Sequence, residues 1–151
     1  MSARKASEPK HSTTSPAATA TTVDERRAAW PARVADGGRD FAIACARSID
    51  GDKCEDIVIL DVRGVSQICD FLVIATGTSD RQMRAAAQNV EDMAKTRNET
   101  PYGVSGYDEG AWIVVDYVDV VVHLFSGDLR TYYDLESLWG DGQRVEWEAV
   151  Q

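Results

Sequence analysis

Hydrophobic and polar positions change period several times along this chain of 151 residues, and each change marks an expected element. Between Gly38 and Ile49 the residues Phe41, Ala44, Cys45 and Ile49 recur at helical spacing, and Gly51 offers a left-handed stop. A short amphipathic helix is expected there. Residues 55–62 (EDIVILDV) and 69–76 (CDFLVIAT) are continuous apolar runs that end at Gly64 and Gly77, the pattern of buried strands. GTSDRQ then opens a long helix, with Thr78 or Ser79 as cap and Gln82 placed as in a capping box. Met83, Ala86, Ala87, Val90, Met93 and Ala94 form its apolar stripe, and Asn98 and Pro101 end it.

The most strongly patterned stretch runs from Ala111 to Phe125, AWIVVDYVDVVVHLF. Its β-branched and aromatic residues suit a pleated, half-buried surface, so it reads as a hairpin interrupted by DYVD. Reversal between Tyr117 and Val118 sets Asp116 opposite Asp119, Val114 opposite Val121 and Trp112 opposite His123. One face then collects Ile113, Val115, Val120, Val122 and Leu124. The other carries Trp112, Val114, Asp116, Asp119, Val121 and His123, where two like charges call for solvent or a cationic partner.

Residues 98–110 read as a polar connection into this hairpin. After it, Leu135, Leu138 and Trp139 recur at helical spacing before Gly140, predicting one or two helical turns packed against the sheet edge, and VEWE either adds a short strand or lies extended. The element order predicts one α/β (α+β) domain over residues 36–151, a mixed sheet of about four to five strands flanked by helices. Residues 1–35, rich in Ser, Thr, Ala and Pro, read as a disordered or loosely docked tail.

Charge divides the same way: net +3 over residues 1–35 and −12 over residues 36–151, which sum to the chain's −9. An acidic folded part is repelled by phosphate backbones, so it disfavours extensive nucleic-acid contact and favours a basic protein surface as partner. The short basic tail can still touch RNA. Cys45, Cys54 and Cys69 are odd in number and lack CxxC spacing, which reads as reduced, mostly buried thiols. No apolar run approaches the roughly 18 residues of a membrane span. The first 22 residues overlap in composition with organelle transit peptides and with plain bacterial tails; Glu8, Asp24 and Glu25 favour the plain tail and a cytoplasmic setting, with a mitochondrial or chloroplast one as the alternative.

Candidate chemistry is sparse. Gly77, Thr78 and Ser79 at a helix start offer N–H groups to an anion, but the segment lacks the Lys of a phosphate-binding loop, and a helix cap explains it as well. Asp116 and Asp119, with Asp61, offer the carboxylates of a magnesium-dependent nucleotidyl transferase, or equally satisfy the backbone of a turn. His123 has no Ser or Cys beside it with a nucleophile signature. Aromatic residues next to acidic ones, Trp112, Tyr132, Tyr133 and Trp139, also have the composition of a protein-binding hot spot. That interaction surface is the preferred reading.

CDFLVIATGTSDRQ, WIVVDYVDVVVHLF and YYDLESLWGD, in this order and spacing, closely resemble the ribosomal silencing factor (Iojap-like) family over roughly residues 39–148. The resemblance implies a nucleotidyltransferase-like domain without catalytic residues, cofactor or metal. It implies a non-enzymatic factor that binds the large ribosomal subunit through its protein L-fourteen, blocks joining of the small subunit and lowers translation when nutrients are scarce. Organelle relatives are implicated in large-subunit assembly, and members are often homodimers off the ribosome. Carried onto this chain, the partner-facing motif falls on Trp112, Asp116, Tyr117, Asp119 and His123, with Tyr133, Asp134, Leu135, Glu136 and Trp139 beside them. The family commonly has Gly where this chain has Val118. A β-branched residue at positive φ costs roughly 1 kcal/mol or more, which predicts a wider or different turn.

Overall fold

The computed structural model describes residues 37–148, together with Glu25; the expected tail lies outside the described residues. Helix α1 spans Gly37–Gly51, and strands β1 (Glu55–Asp61) and β2 (Phe71–Gly77) follow it. Helix α2 (Asp80–Lys95) leads to β3 (Gly103–Ser105) and to the hairpin β4 (Trp112–Asp116) and β5 (Val120–Ser126). Two short helices, α3 (Gly127–Tyr133) and α4 (Leu135–Leu138), and the short strand β6 (Gln143–Arg144) complete the order.

The sheet has six strands in the order β3-β4-β5-β2-β1-β6, one or two more than expected. The two additions are its edges. β3 arises within the polar connection because Gly103–Ser105 pairs with β4, and β6 because Gln143 and Arg144 pair with Asp61 and Leu60. Of the paired strands only β2 and β5 run parallel; α2 carries the chain from β2 to the edge strand β3, from which β4 and β5 return as an antiparallel meander, and every other pair is antiparallel.

Both long helices cover one face of this sheet. Phe41, Cys45 and Ile49 of α1 and Met83, Ala86, Val90 and Ala94 of α2 are buried with Val73, Ile113, Val115, Val122 and Leu124 in one core. Helix α2 starts where the sequence predicts: Ser79 caps it, its hydroxyl accepting from the Gln82 N–H at 3.0 Å. The Gln82 carboxamide oxygen accepts in turn from the N–H and hydroxyl of Thr78, at 2.6 and 3.1 Å. The cap therefore engages the N–H groups of Thr78 and Gln82 within the chain itself. Gly77 is required for another reason, since a Cβ there would stand 2.1 Å from Met83 Cγ; the helix crosses the strand too closely for any side chain.

Candidate functional site

The hairpin carries the residues of interest, and its register differs from the expected one by two. Trp112 pairs with Phe125, Val114 with His123 and Asp116 with Val121. Chain reversal occurs one residue later than expected, at Val118 and Asp119: Tyr117 N–H donates to the Val120 carbonyl at 2.8 Å, and Asp119 N–H to the Tyr117 carbonyl at 3.0 Å. That second bond closes a three-residue turn centred on Val118, whose φ is +77°. The turn is tighter than predicted, and a buried valine sits in the left-handed region instead of the usual glycine. An even shift leaves the paired strand residues on their expected faces, whereas Asp119, in the turn, directs its carboxylate towards Gly38 at the start of α1 and not onto the second face.

The two acidic residues do not face each other, nor do they meet solvent. Asp116 is wholly buried and its carboxylate accepts from the Val118 N–H at 2.7 Å, so it builds the turn from inside. Asp119 is buried, and its carbonyl accepts from Asp70 N–H at 2.8 Å and Phe71 N–H at 2.9 Å, tying the turn to the start of β2. Tyr117 enters the helix-covered core, where its ring meets Phe41. These three residues are therefore turn and core elements in the free chain.

Among the described residues, the second face of the sheet is the less covered one. Leu72 and Ile74 of β2, Leu60 of β1, and Val114, Val121 and Phe125 of the hairpin form a second apolar cluster. Among the described residues, Leu129, Leu135 and Trp139 of the C-terminal segment pack onto it from outside, so α3 and α4 lie on this face and not against the sheet edge. They leave an apolar groove of about 160 Å³ between Leu72, Val114, Val121 and His123 on the sheet and Leu135, Leu138 and Trp139 above it. Trp112 forms the groove's aromatic wall, with ring centroids 4.8 Å from Phe125 and 4.7 Å from Tyr133. Tyr132, Tyr133 and Leu138 stand out beside it, 78%, 47% and 65% exposed.

His123 sits at the floor of this groove, 8% exposed. Burial pushes its imidazole down from 6.5 to about 4, so the ring is neutral at physiological pH. The Trp112 indole N–H donates to His123 Nδ1 at 3.1 Å.

Arg130 fixes the helical cover, since its side chain is nearly buried and forms a two-pronged pair with Glu136, Nε to Oε1 at 3.1 Å and Nη2 to Oε2 at 3.0 Å. It also donates to the Asp56 carbonyl at 2.6 Å and to Thr76 Oγ1 at 2.8 Å. The family resemblance implies a partner-facing Glu136, and Arg130 is not among the expected site residues. The structure spends Glu136 on Arg130, and no periodic pattern marks an Arg whose partners lie 54 and 74 positions away. Asp134 is exposed and in the left-handed region (φ +47°), joining α3 to α4, with its carboxylate accepting from Ser137 Oγ at 2.7 Å.

Asp61 and Gly77, the pair named for the catalytic alternative, are not brought together. β1 and β2 are antiparallel, with Asp61 opposite Phe71, so Asp61 and Gly77 lie at opposite ends of the pair, about 20 Å apart along the strand. Asp61 is paired with Arg63 at 2.6 Å, and hydrogen bonding from that guanidinium holds its carboxyl below the usual range. Among the described residues no group of three or more His, Cys, Asp or Glu side chains gathers as a metal site would require. The three cysteines are free and buried, and burial with neighbouring Asp52 and Glu55 raises Cys54 to about 11.

The model of a family described as "Ribosomal silencing factor during starvation" matches residues 36–151. A ribosomal silencing factor of Halalkalibacterium halodurans is 40% identical over 103 residues, covering 68% of this chain and 88% of that protein. A crystal structure of a Chromobacterium violaceum protein superposes with a TM-score of 0.67 at 32% identity, covering 75% of this chain and 93% of that one. A mouse protein named for mitochondrial assembly of the ribosomal large subunit is 30% identical over 125 residues, covering 76% of this chain and 54% of its own length. With its family model spanning the whole described domain and its six-stranded fold shared with such relatives, this chain belongs to the ribosomal silencing factor family.

Proposed function

We propose that this protein is a non-enzymatic cytoplasmic factor that docks the less covered face of its sheet onto ribosomal protein L-fourteen of the large subunit and sterically prevents the small subunit from joining. The observation that carries this reading is the exposed cluster of Tyr132, Tyr133 and Leu138 at the mouth of an apolar groove. An apolar patch with aromatic anchors is the usual centre of a protein interface. Asp128, Asp134 and Asp141 are exposed in the same C-terminal segment, while Arg130 is paired internally with Glu136, so the acidic character of the segment favours a basic protein over RNA. Trp112, His123, Tyr133, Leu135 and Trp139 supply the contact surface in this reading; Asp116, Tyr117 and Asp119 shape it from beneath.

Co-sedimentation with large subunits on a sucrose gradient tests this. Leu138→Asp combined with Tyr133→Ala alters two exposed residues and leaves the core untouched, so the fold persists by circular dichroism while sedimentation with large subunits is lost. Undiminished co-sedimentation of that double variant removes this face from the contact. The mouse relative's name supports a second reading, assembly of the large subunit by the same surface. Recovery of the protein on precursor particles in place of mature subunits would favour it.

A further inference from the structure

A second groove, of about 300 Å³, runs between the last turns of α2 and the approach to the edge strand β3. Glu91, Asp92 and Lys95 of the helix line it together with Glu99, Pro101 and Tyr102 of the connection. It shares no residue with the groove that Trp112 and His123 line. Among its lining residues three carboxylates stand against one ammonium, and Glu91 is buried, so a cationic occupant is favoured. Tyr102, 45% exposed, offers an aromatic ring at the same place. Beside it β3 is a three-residue sheet edge, the kind of feature that folded proteins cover or blunt.

We propose that the occupant of this groove is the chain's own segment RRAAWPAR, residues 26–33, which precedes α1. The segment carries Arg26, Arg27 and Arg33 and no acidic residue, and its Trp30 is the only Phe, Tyr or Trp of residues 1–35. Guanidinium groups against Asp92 and Glu99, with the indole against the Tyr102 ring, match both the charge and the aromatic character of the groove.

Reach supports this segment. A Cβ on Gly38 would stand 3.1 Å from an Asp119 carboxylate oxygen and 3.3 Å from the Phe71 ring, so α1 begins at the turn end of the hairpin. The groove lies at that same end, since Tyr102 N–H donates to the Asp116 carbonyl at 2.7 Å. From Phe71 the sheet steps through β5 and Asp116 of β4 to Gly103, three strand spacings or about 15 Å. An extended chain covers about 3.3 Å per residue, so the stretch from Trp30 to Gly37 spans up to about 23 Å. Docked there, the segment covers the β3 edge and turns its arginines towards the domain's own carboxylates and not towards RNA. The inference stands apart from the ribosomal contact proposed above.

A nitroxide on Ala28→Cys of the full, nitrogen-15-enriched chain tests this by NMR. Cys45, Cys54 and Cys69 are buried, which leaves the new thiol as the reactive one. The amide resonances of Asp92, Glu99 and Tyr102 are expected to broaden, while those of Leu135 and Leu138 keep their width. Changing Arg26, Arg27 and Arg33 together to Glu is expected to abolish the broadening, and adding Asp92→Lys and Glu99→Lys to restore it. No broadening, broadening at Leu135 and Leu138 instead, survival of the broadening after the arginine changes, or failure of the lysines to rescue it overturns the inference. Mixing nitroxide-bearing chain of natural isotopic abundance with enriched, nitroxide-free chain identifies the source of the segment. The enriched resonances are expected to stay sharp; broadening at Tyr102 in that mixture would assign the segment to a second copy and overturn docking within one chain.

Discussion

Tyr117 at the end of the hairpin and Phe41 of the first helix meet edge to face, ring centroids 4.8 Å apart and planes at 75°. Each ring is 1% exposed, and the pair ties the turn to α1 across the helix-covered core. Aromatic pairs of this kind add about 0.5–1.5 kcal/mol beyond their buried area. Truncating a buried ring to alanine costs about 3–5 kcal/mol. Tyr117→Ala is therefore expected to lower the urea unfolding midpoint sharply, with any loss of ribosome binding following from lost folded protein. A stable Tyr117→Ala protein that no longer binds would return this residue to the contact surface.

Val118 makes a second prediction at the same turn. Its positive φ is strained for a β-branched residue by about 1–3 kcal/mol, yet its side chain is buried, so glycine there relieves strain and loses apolar contact in similar amounts. Val118→Gly is expected to change unfolding free energy by less than about 1 kcal/mol. Val120→Ala, two positions on and equally buried but in ordinary strand geometry, is expected to cost about 2 kcal/mol. Equal losses for the two variants would show that the turn at Val118 holds no strain.

These two residues also mark how far the sequence carried. The alternation of apolar residues assigns the side chains of the two paired strands to their faces correctly, because a register error of two residues preserves parity, but it misplaces Asp119 in the turn. The register itself depends on where the chain turns, and no propensity rule places a positive φ on valine. Asp116 and Asp119 read as surface charges because charge is the visible property; their burial depends on backbone N–H and carbonyl groups that only the closed turn brings together. The helices were legible for the opposite reason. Their caps and stripes are local, as Ser79, Gln82 and the Met83 to Ala94 face show.

Arg130 is a keystone of the less covered face, and its removal tests whether the cover matters to binding. Its partners sit on β1, β2 and α4, so Arg130→Met leaves Glu136 without its guanidinium and frees α3 and α4 from the sheet end. Losing one partner of a largely buried, two-pronged pair costs about 1–3 kcal/mol locally. Hydrogen exchange over residues 127–139 is expected to quicken by about tenfold or more, while the strands β2 and β5 keep their protection. Uniformly faster exchange across the sheet would mean that Arg130 supports the whole domain instead.

His123 sets the protein's response to acid. Its folded value of about 4 lies below the ordinary 6.5, so between those limits the unfolded chain takes up a proton that the folded ring refuses. The contribution to stability is complete above pH 6.5 and declines as pH falls towards 4, by about 3 kcal/mol in all. Asp61 acts with the same sign in a lower window: its lowered carboxyl contributes fully above 3.8, and that contribution is lost only as pH falls below this value, outside the histidine window. Cys54, raised to about 11, titrates far on the alkaline side. Urea unfolding at pH 7 and pH 4.5 separates these groups. Wild type is expected to lose about 2–3 kcal/mol more over that interval than His123→Phe, whose ring cannot take up a proton. An equal loss in both proteins would place the acid sensitivity elsewhere and would mean that the imidazole is not held neutral by its burial between the groove and the Trp112 ring.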